Sequence, residues 1–471
     1  CVENEHVFIG YVTDTNKYEG TSCSDEADCQ AKCTLDNTCG GYTVGSQGQS
    51  LGRGGEFVCA VLSGGTKCWG RNDWNIFNNG AGHVGDAANE MGANLPYLLS
   101  DVKKISGGGT SSVLCALLTS GVLECWGQSS YKTHGQSGTG AISFANRATA
   151  ASDVSDWAMG TNVACAVMNS GAVKCWGVNT HGQLGDGTIS TNSLPTDVLN
   201  INNAMGVAVG MESSCALLTD GTVQCWGRQD KIGRATTADD PTPGDVGVTG
   251  AIKIDANRYY TCVVLNTGKI TCWGQPSHEV FGDGGTSVGY GAGKHTVSNI
   301  GDTLPSAVQI SIGLDNMCAV LDNGHLYCWG RNAYGQVGDG TTTDRNTPVK
   351  IMEGVSSVIC AHRVTCARLD DDSVKCWGRN LYGEVGQGDT IENRLSPLSV
   401  DLADTFPPTP ITYGPLVAGT GDSKALQQGC QTCPTGSIRT AGDLLANGAT
   451  SCACPENFHV SGGQCVACVA G

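Results

Sequence analysis

The chain is poor in charge. Lys, Arg, Asp and Glu make up 15% of its 471 residues, well below the usual quarter. Basic residues are scarcer still: 27 Lys plus Arg stand against 44 Asp plus Glu, for a formal net charge of −17. Without a basic patch to displace counterions, nucleic acids and anionic membranes are poor partners. Apolar runs long enough to cross a bilayer are missing, so direct membrane insertion is not expected. No Asn lies in an Asn-x-Ser/Thr sequon, so any glycan would be O-linked. There is no nucleophile elbow, phosphate loop or His-Glu-x-x-His, and the 9 His are scattered from His6 to His459. The expectation is a protein without catalytic residues, cofactor or metal.

Two residue types are abundant. Gly occurs 68 times, about twice its usual share, which suits a turn-rich all-β protein better than a helical one. Cys occurs 26 times, which points to an oxidising compartment. The chain opens on Cys1 rather than Met. Together these features predict a secreted or cell-surface protein whose signal peptide has been removed.

The cysteines follow a pattern. In CALLTDGTVQCWG (215–227), Cys215 and Cys225 are equidistant from Asp220. A three-residue turn centred there sets them opposite one another on antiparallel strands, with Gly221 at the positive-φ position. A cross-strand disulfide fits such a site and, by the chain-entropy model, contributes roughly 2–3 kcal/mol. The same arrangement recurs at Cys115 and Cys125, Cys165 and Cys175, Cys262 and Cys272, Cys318 and Cys328, and Cys366 and Cys376, and, one residue shorter with a tighter turn, at Cys59 and Cys68. Each second cysteine is followed by Trp-Gly, and the spacing between copies is about fifty residues. One Trp per unit reads as packing between sheets. Trp74 falls outside that pattern and is a candidate contact residue.

Each unit also carries an apolar run before the cysteine pair and a Gly-rich loop followed by a strand after it. Such a unit is too small to bury its own faces, so neighbours must stack. Four short strands in each of seven units predict an all-β, seven-bladed β-propeller over residues 51–404, with one hairpin disulfide per blade. GDGT at 185–188 and 338–341 is read as a structural turn, because calcium would need more acids at short spacing.

WGVNTHGQLGDGTISTNSLPTDV (176–198) and WGRNAYGQVGDGTTTDRNTPVKI (329–351) resemble the regulator-of-chromosome-condensation repeat. The resemblance implies a seven-bladed propeller. Units three, six and seven match it closely, while units one, two, four and five keep Cys-Trp-Gly and lose the Gly-Gln-Leu-Gly segment. The nuclear exchange activity known in that family is not carried over, since a disulfide in every blade and an acidic surface oppose a nuclear role.

Two small Cys-rich modules flank the propeller. Residues 1–50 contain SCSDEADCQAKCTLDNTCGGY (22–42), with Cys29 and Cys33 on an expected short helix. This stretch resembles the core of PAN/apple modules, in which Cys33–Cys39 is the natural pair; a bare disulfide-stapled cap is the alternative. Residues 405–428 form a Pro/Gly-rich linker, in which Pro407, Pro408, Thr409 and Pro410 are candidates for O-glycans or hydroxyproline, with a plain spacer as the alternative. Residues 429–471 resemble EGF-like and ephrin-receptor-like tails, a pattern that favours Cys454–Cys465 and then Cys433–Cys452; zinc binding by the Cys-x-x-Cys pairs is the alternative.

Cys360 is left over after the hairpins, and residues 1–50 hold an odd number of cysteines. Parity therefore predicts a tether from Cys360, on the seventh blade's first strand, to Cys1, Cys23 or Cys29. Such a bond would contribute about 5 kcal/mol by closing a long loop.

A rigid propeller between Cys-rich ends suits a structural or adhesive subunit of a surface coat, filament or flagellar hair. Its partners would be further copies of itself or other extracellular proteins, meeting segments 71–100, 128–150 and 275–304 and the tail. The alternative is a secreted ligand-binding or enzyme-inhibitor propeller that recognises a glycan or a protein through its loops.

Overall fold

A computed structural model describes residues 51–402, apart from 55–56, 63–64, 72–98, 100, 109–111, 130–132, 136–139, 143–146, 276–280, 285–292, 388–389, 391–392 and 401, together with 458–461 and 464–467. The chain divides into two units, Cys1–Ala403 and Asp404–Gly471. In the second, Phe458–Ser461 pairs antiparallel with Gln464–Ala467, setting Val460 opposite Cys465.

All regular structure among the described residues is β. The first unit is a seven-bladed propeller, as expected. In the third blade, Val154–Met159, Val163–Met168, Val173–Gly177 and Asn192–Asp197 pair in chain order from the channel outward. The fourth to seventh blades repeat that meander. The first blade has three described strands, and in the second both Gly140–Ile142 and Ala148–Ala151 pair with Leu123–Ser129.

The hairpins form as the cysteine spacing predicts. Cys215 lies opposite Cys225, and Gly221 has φ +77°. The Leu218 amide donates to Thr222 O across the turn, while Asp220 Oδ1 accepts from both the amide and hydroxyl of Thr222. All seven hairpin disulfides are present, with Cα–Cα separations of 4.0–4.1 Å.

Why Trp follows Cys is now clear. Neighbouring residues on a strand point to opposite faces of the sheet. The Cys165–Cys175 bridge faces the fourth blade, where it shares a cluster with Trp226, while Trp176 faces back to the bridge of the second blade. The same pairing of a disulfide with the next blade's Trp holds at every boundary, including the seventh-to-first, where Cys366 and Cys376 pack with Trp69. The core is thus a ring of inter-blade clusters. Each fully buried Trp contributes roughly 5 kcal/mol of apolar burial.

Outer strands are blunted. Opposite the Trp position, the strands Asn192–Asp197, Asp240–Asp245, Arg345–Met352 and Arg394–Val400 each bulge and carry a proline there: Pro195, Pro243, Pro348 and Pro397. A bulged edge lacking an N–H is a poor template for another strand.

The partners expected for a Cys360 tether, Cys1, Cys23 and Cys29, lie outside the described residues. Cys360 ends the seventh blade's innermost strand, as expected, but it is a buried free thiol. Its side chain packs into the sixth-to-seventh cluster beside Val358 and Trp377, and Thr365 Oγ1 lies 4.0 Å from its sulfur. Among the described residues, ring closure relies on packing and hydrogen bonds, including Trp69 Nε1 to Glu384 O at 2.9 Å.

Candidate functional site

The repeat motif holds blades together. Gln183 O accepts the Trp226 indole N–H at 2.9 Å, and Gln336 O accepts that of Trp377 at 3.0 Å, each across a blade boundary. The buried side chains of Gln183, Gln336 and Glu384 accept the backbone amides of His181, Tyr334 and Tyr382. Asn179 and Asn332 organise the rest of the loop, accepting from Leu184 and Val337 and donating to Asp186 and Asp339. Those two acids also cap Thr188 and Thr341, so GDGT is the structural turn expected.

The second, fourth and fifth units depart from the motif but retain its glycine. Gly135, Gly233 and Gly282 all have positive φ, and each lies against the next blade's Trp, as Gly185 and Gly338 do. Thr133 O accepts from Trp176 in the second unit. A backbone carbonyl makes this bond, so the side chain was free to change.

The central channel is bridged by Arg53. Its guanidinium donates to Asp255 at 2.5 Å, to Cys360 O at 3.2 Å and to Ile312 O, linking the first blade to the fifth, seventh and sixth. Beside it lies a cavity of about 290 Å³ lined by Lys104, Asp156, Asp255, Gln309 and Ser311. Lys104 pairs with Asp156 at 2.7 Å, and Gln309 makes two hydrogen bonds to Val358. These polar groups are largely occupied in joining blades. Among the described residues, no group of three or more His, Cys, Asp and Glu is placed to hold a metal ion.

The two ends of the propeller differ in kind. Each blade is a meander, so first-to-second turns and third-to-fourth loops share one end, called the loop face. Second-to-third hairpins and blade-to-blade links share the other, the hairpin face. The hairpin face carries Asp153, Asp220, Asp302, Asp322, Glu353 and the run Asp370–Asp372, while Lys269 is the one lysine or arginine in its described turns and links. On this face the acid of each pair is the outer partner: Asp372 is 55% exposed over Arg368 at 9%, and Asp302 52% over Lys269 at 39%. Thr222 and Ser373 hydrogen bonds hold Asp220 and Asp371 below the usual carboxylate range, and the Lys350 ammonium does the same for Glu353.

The loop face has the reverse order. Arg331 is 34% exposed over Asp315 at 9%, Arg345 33% over Asp339 at 6%, and Arg228 38% over Glu212 at 17%. Burial pushes Glu212 upward, but Lys231 and Arg228 outweigh it and its carboxyl stays below the usual range. Guanidinium groups also lie over tyrosine rings: Arg363 over Tyr334 at 4.9 Å, Arg258 over Tyr259 at 5.3 Å, and Arg71 over Tyr382 at 4.9 Å. Leu381 is exposed beside them. Lys231 and Arg234 are the loop-face exceptions, lying deeper than Glu212 and Asp240.

Cys33, Cys39, Cys433, Cys452, Cys454, the residues Pro407 to Pro410 and Trp74 lie outside the described residues, as does most of the expected contact segment 71–100. Sequence reasoning missed Arg53 and the opposed polarity of the faces. Of the hairpin-face acids, Asp220, Asp322 and Asp370–Asp372 were legible in the turns themselves, whereas Asp153, Asp302 and Glu353 lie in the blade-to-blade links.

Models of the regulator of chromosome condensation (RCC1) repeat match residues 170–217, 307–336 and 323–368. Prp20p from Saccharomyces cerevisiae, whose crystal structure was described with its binding to Gsp1p and histones, superposes with TM-score 0.61 at 18% identity, over 76% of this chain and 88% of that one. Human WBSCR16 superposes with TM-score 0.58 at 18% identity, over 68% and 86%. The fold is an RCC1-like propeller. A 56-residue stretch is 39% identical to Ras guanine nucleotide exchange factor C of Dictyostelium discoideum, spanning 11% of this chain and 4% of that protein.

Proposed function

We propose that the protein is a non-catalytic extracellular structural or adhesive protein, a subunit of a surface assembly or filament. The observation that carries this reading is the disulfide packed against a Trp at every blade boundary. Buried bridges in such number belong to an oxidising medium and to a part that must keep its shape there. No helix among the described residues is long and apolar enough to cross a membrane. Proline bulges discourage strand addition at the edges, which leaves the two end faces for contacts. Nucleotide exchange is left out of this reading, because so short a stretch of the Dictyostelium protein is shared.

Electron microscopy of the protein purified from its source tests the proposal. Ordered polymers are expected. A strict monomer that captures a glycan or an enzyme at sub-micromolar affinity would replace this reading with that of a ligand-binding propeller.

A further inference from the structure

We infer that the loop face of one copy docks on the hairpin face of the next, so that the propeller stacks head to tail. The inference rests on the structural reading above and names the partner: a second copy of this chain. Ion pairs at both ends are ordered by depth, and in opposite senses. The hairpin face turns carboxylates outward over Arg368 and Lys269, while the loop face turns Arg331, Arg345 and Arg228 outward over deeper acids. The hairpin face therefore presents mainly carboxylates, whereas the loop face presents these guanidinium groups among a few acids such as Asp239 and Asp344. Two hairpin faces brought together would oppose like charges, whereas a hairpin face set on the outward arginines of a loop face is complementary, a heterologous contact that propagates. The loop face also carries Arg over Tyr at three places, and Leu381, next to Tyr382 in the chain, is exposed; Arg and Tyr are enriched at the centres of protein interfaces.

Two full-chain variants test this. Arg258→Glu with Arg363→Glu inverts charge on the loop face, and Asp302→Lys with Asp322→Lys inverts it on the hairpin face. All four side chains are at least partly exposed, and circular dichroism checks that both variants fold. In sedimentation velocity at low salt, the wild type is expected to form chains that shorten as salt is raised. Each variant alone should associate at least about tenfold more weakly. Mixed one to one, the variants should recover longer chains, because the two intact faces complement each other and the two inverted faces do so in turn. Chains that persist in both variants would overturn the face assignment while leaving the structural reading in place. A wild type that stays monomeric at low salt and high concentration would overturn both.

Discussion

At the scale of single residues, the unit repeated seven times is a contact between chain neighbours that point in opposite directions. Cys175 faces forward and Trp176 faces back, so one short stretch serves two boundaries. Beneath six of the seven Trp, among the described residues, the preceding blade places a glycine with positive φ. A Cβ on Gly338 would come within 2.4 Å of Trp377 Nε1, in a backbone conformation (φ +89°) that side chains rarely adopt. Gly338→Ala should therefore cost about 2–4 kcal/mol through overpacking and strain combined. Trp377→Phe removes the N–H donated to Gln336 O and should cost less, roughly 1–2 kcal/mol. Urea midpoints of the two variants check the order. A smaller loss from the glycine change would show that the loop gives way easily.

At the scale of elements, the hairpins were legible because two constraints coincide. Equal spacing about Asp220 fixes the register, and register fixes which side chains meet. The third-to-fourth loops were legible only where the motif's side chains remain. In the second, fourth and fifth units Thr133, Lys231 and Phe281 replace the expected pattern while a positive-φ glycine still lies against the next Trp. The carbonyl bond persists in the second unit and is lost in the fourth, where Trp273 Nε1 has no hydrogen-bond partner among the described residues. Cys360 has no counterpart in the repeat, and counting cysteines says nothing of its surroundings: burial among apolar side chains raises its pKa to about 12 and isolates it from solvent. Replacing Cys165 and Cys175 together by Ala should destabilise the propeller by about 2–4 kcal/mol, from loss of the short loop constraint plus a cavity beside Trp226. Thermal unfolding checks this, and an unchanged midpoint would remove the staple from the account.

At the scale of the whole molecule, the ring is closed without strand exchange among the described residues. Trp69, Glu384 and Arg53 supply bonds that join the chain's early and late blades. Arg53 was invisible in the sequence because a channel residue has no repeat to announce it. Acid should loosen the propeller in a definite direction. The carboxyls of Glu212, Asp240 and Asp339 are raised by burial but held below their usual values by cationic and hydroxyl partners, which outweigh it. A lowered folded-state pKa contributes stability that is complete above the unfolded value and is lost as pH falls through the folded one. Melting temperature should thus be flat from about pH 7 to 5 and fall below about pH 4. These groups are partly exposed, so each contributes no more than about 1 kcal/mol. A melting temperature that rises on acidification would contradict this.

The account depends above all on the oxidation state of the hairpins. Mass spectrometry of a non-reduced digest, made from protein alkylated in its native source, reads it directly. The expected result is Cys165–Cys175, Cys215–Cys225 and the five corresponding links recovered as joined peptides, with Cys360 alkylated only after unfolding. Alkylated free thiols at most of the hairpin positions would contradict both the extracellular reading and the structural role built on it.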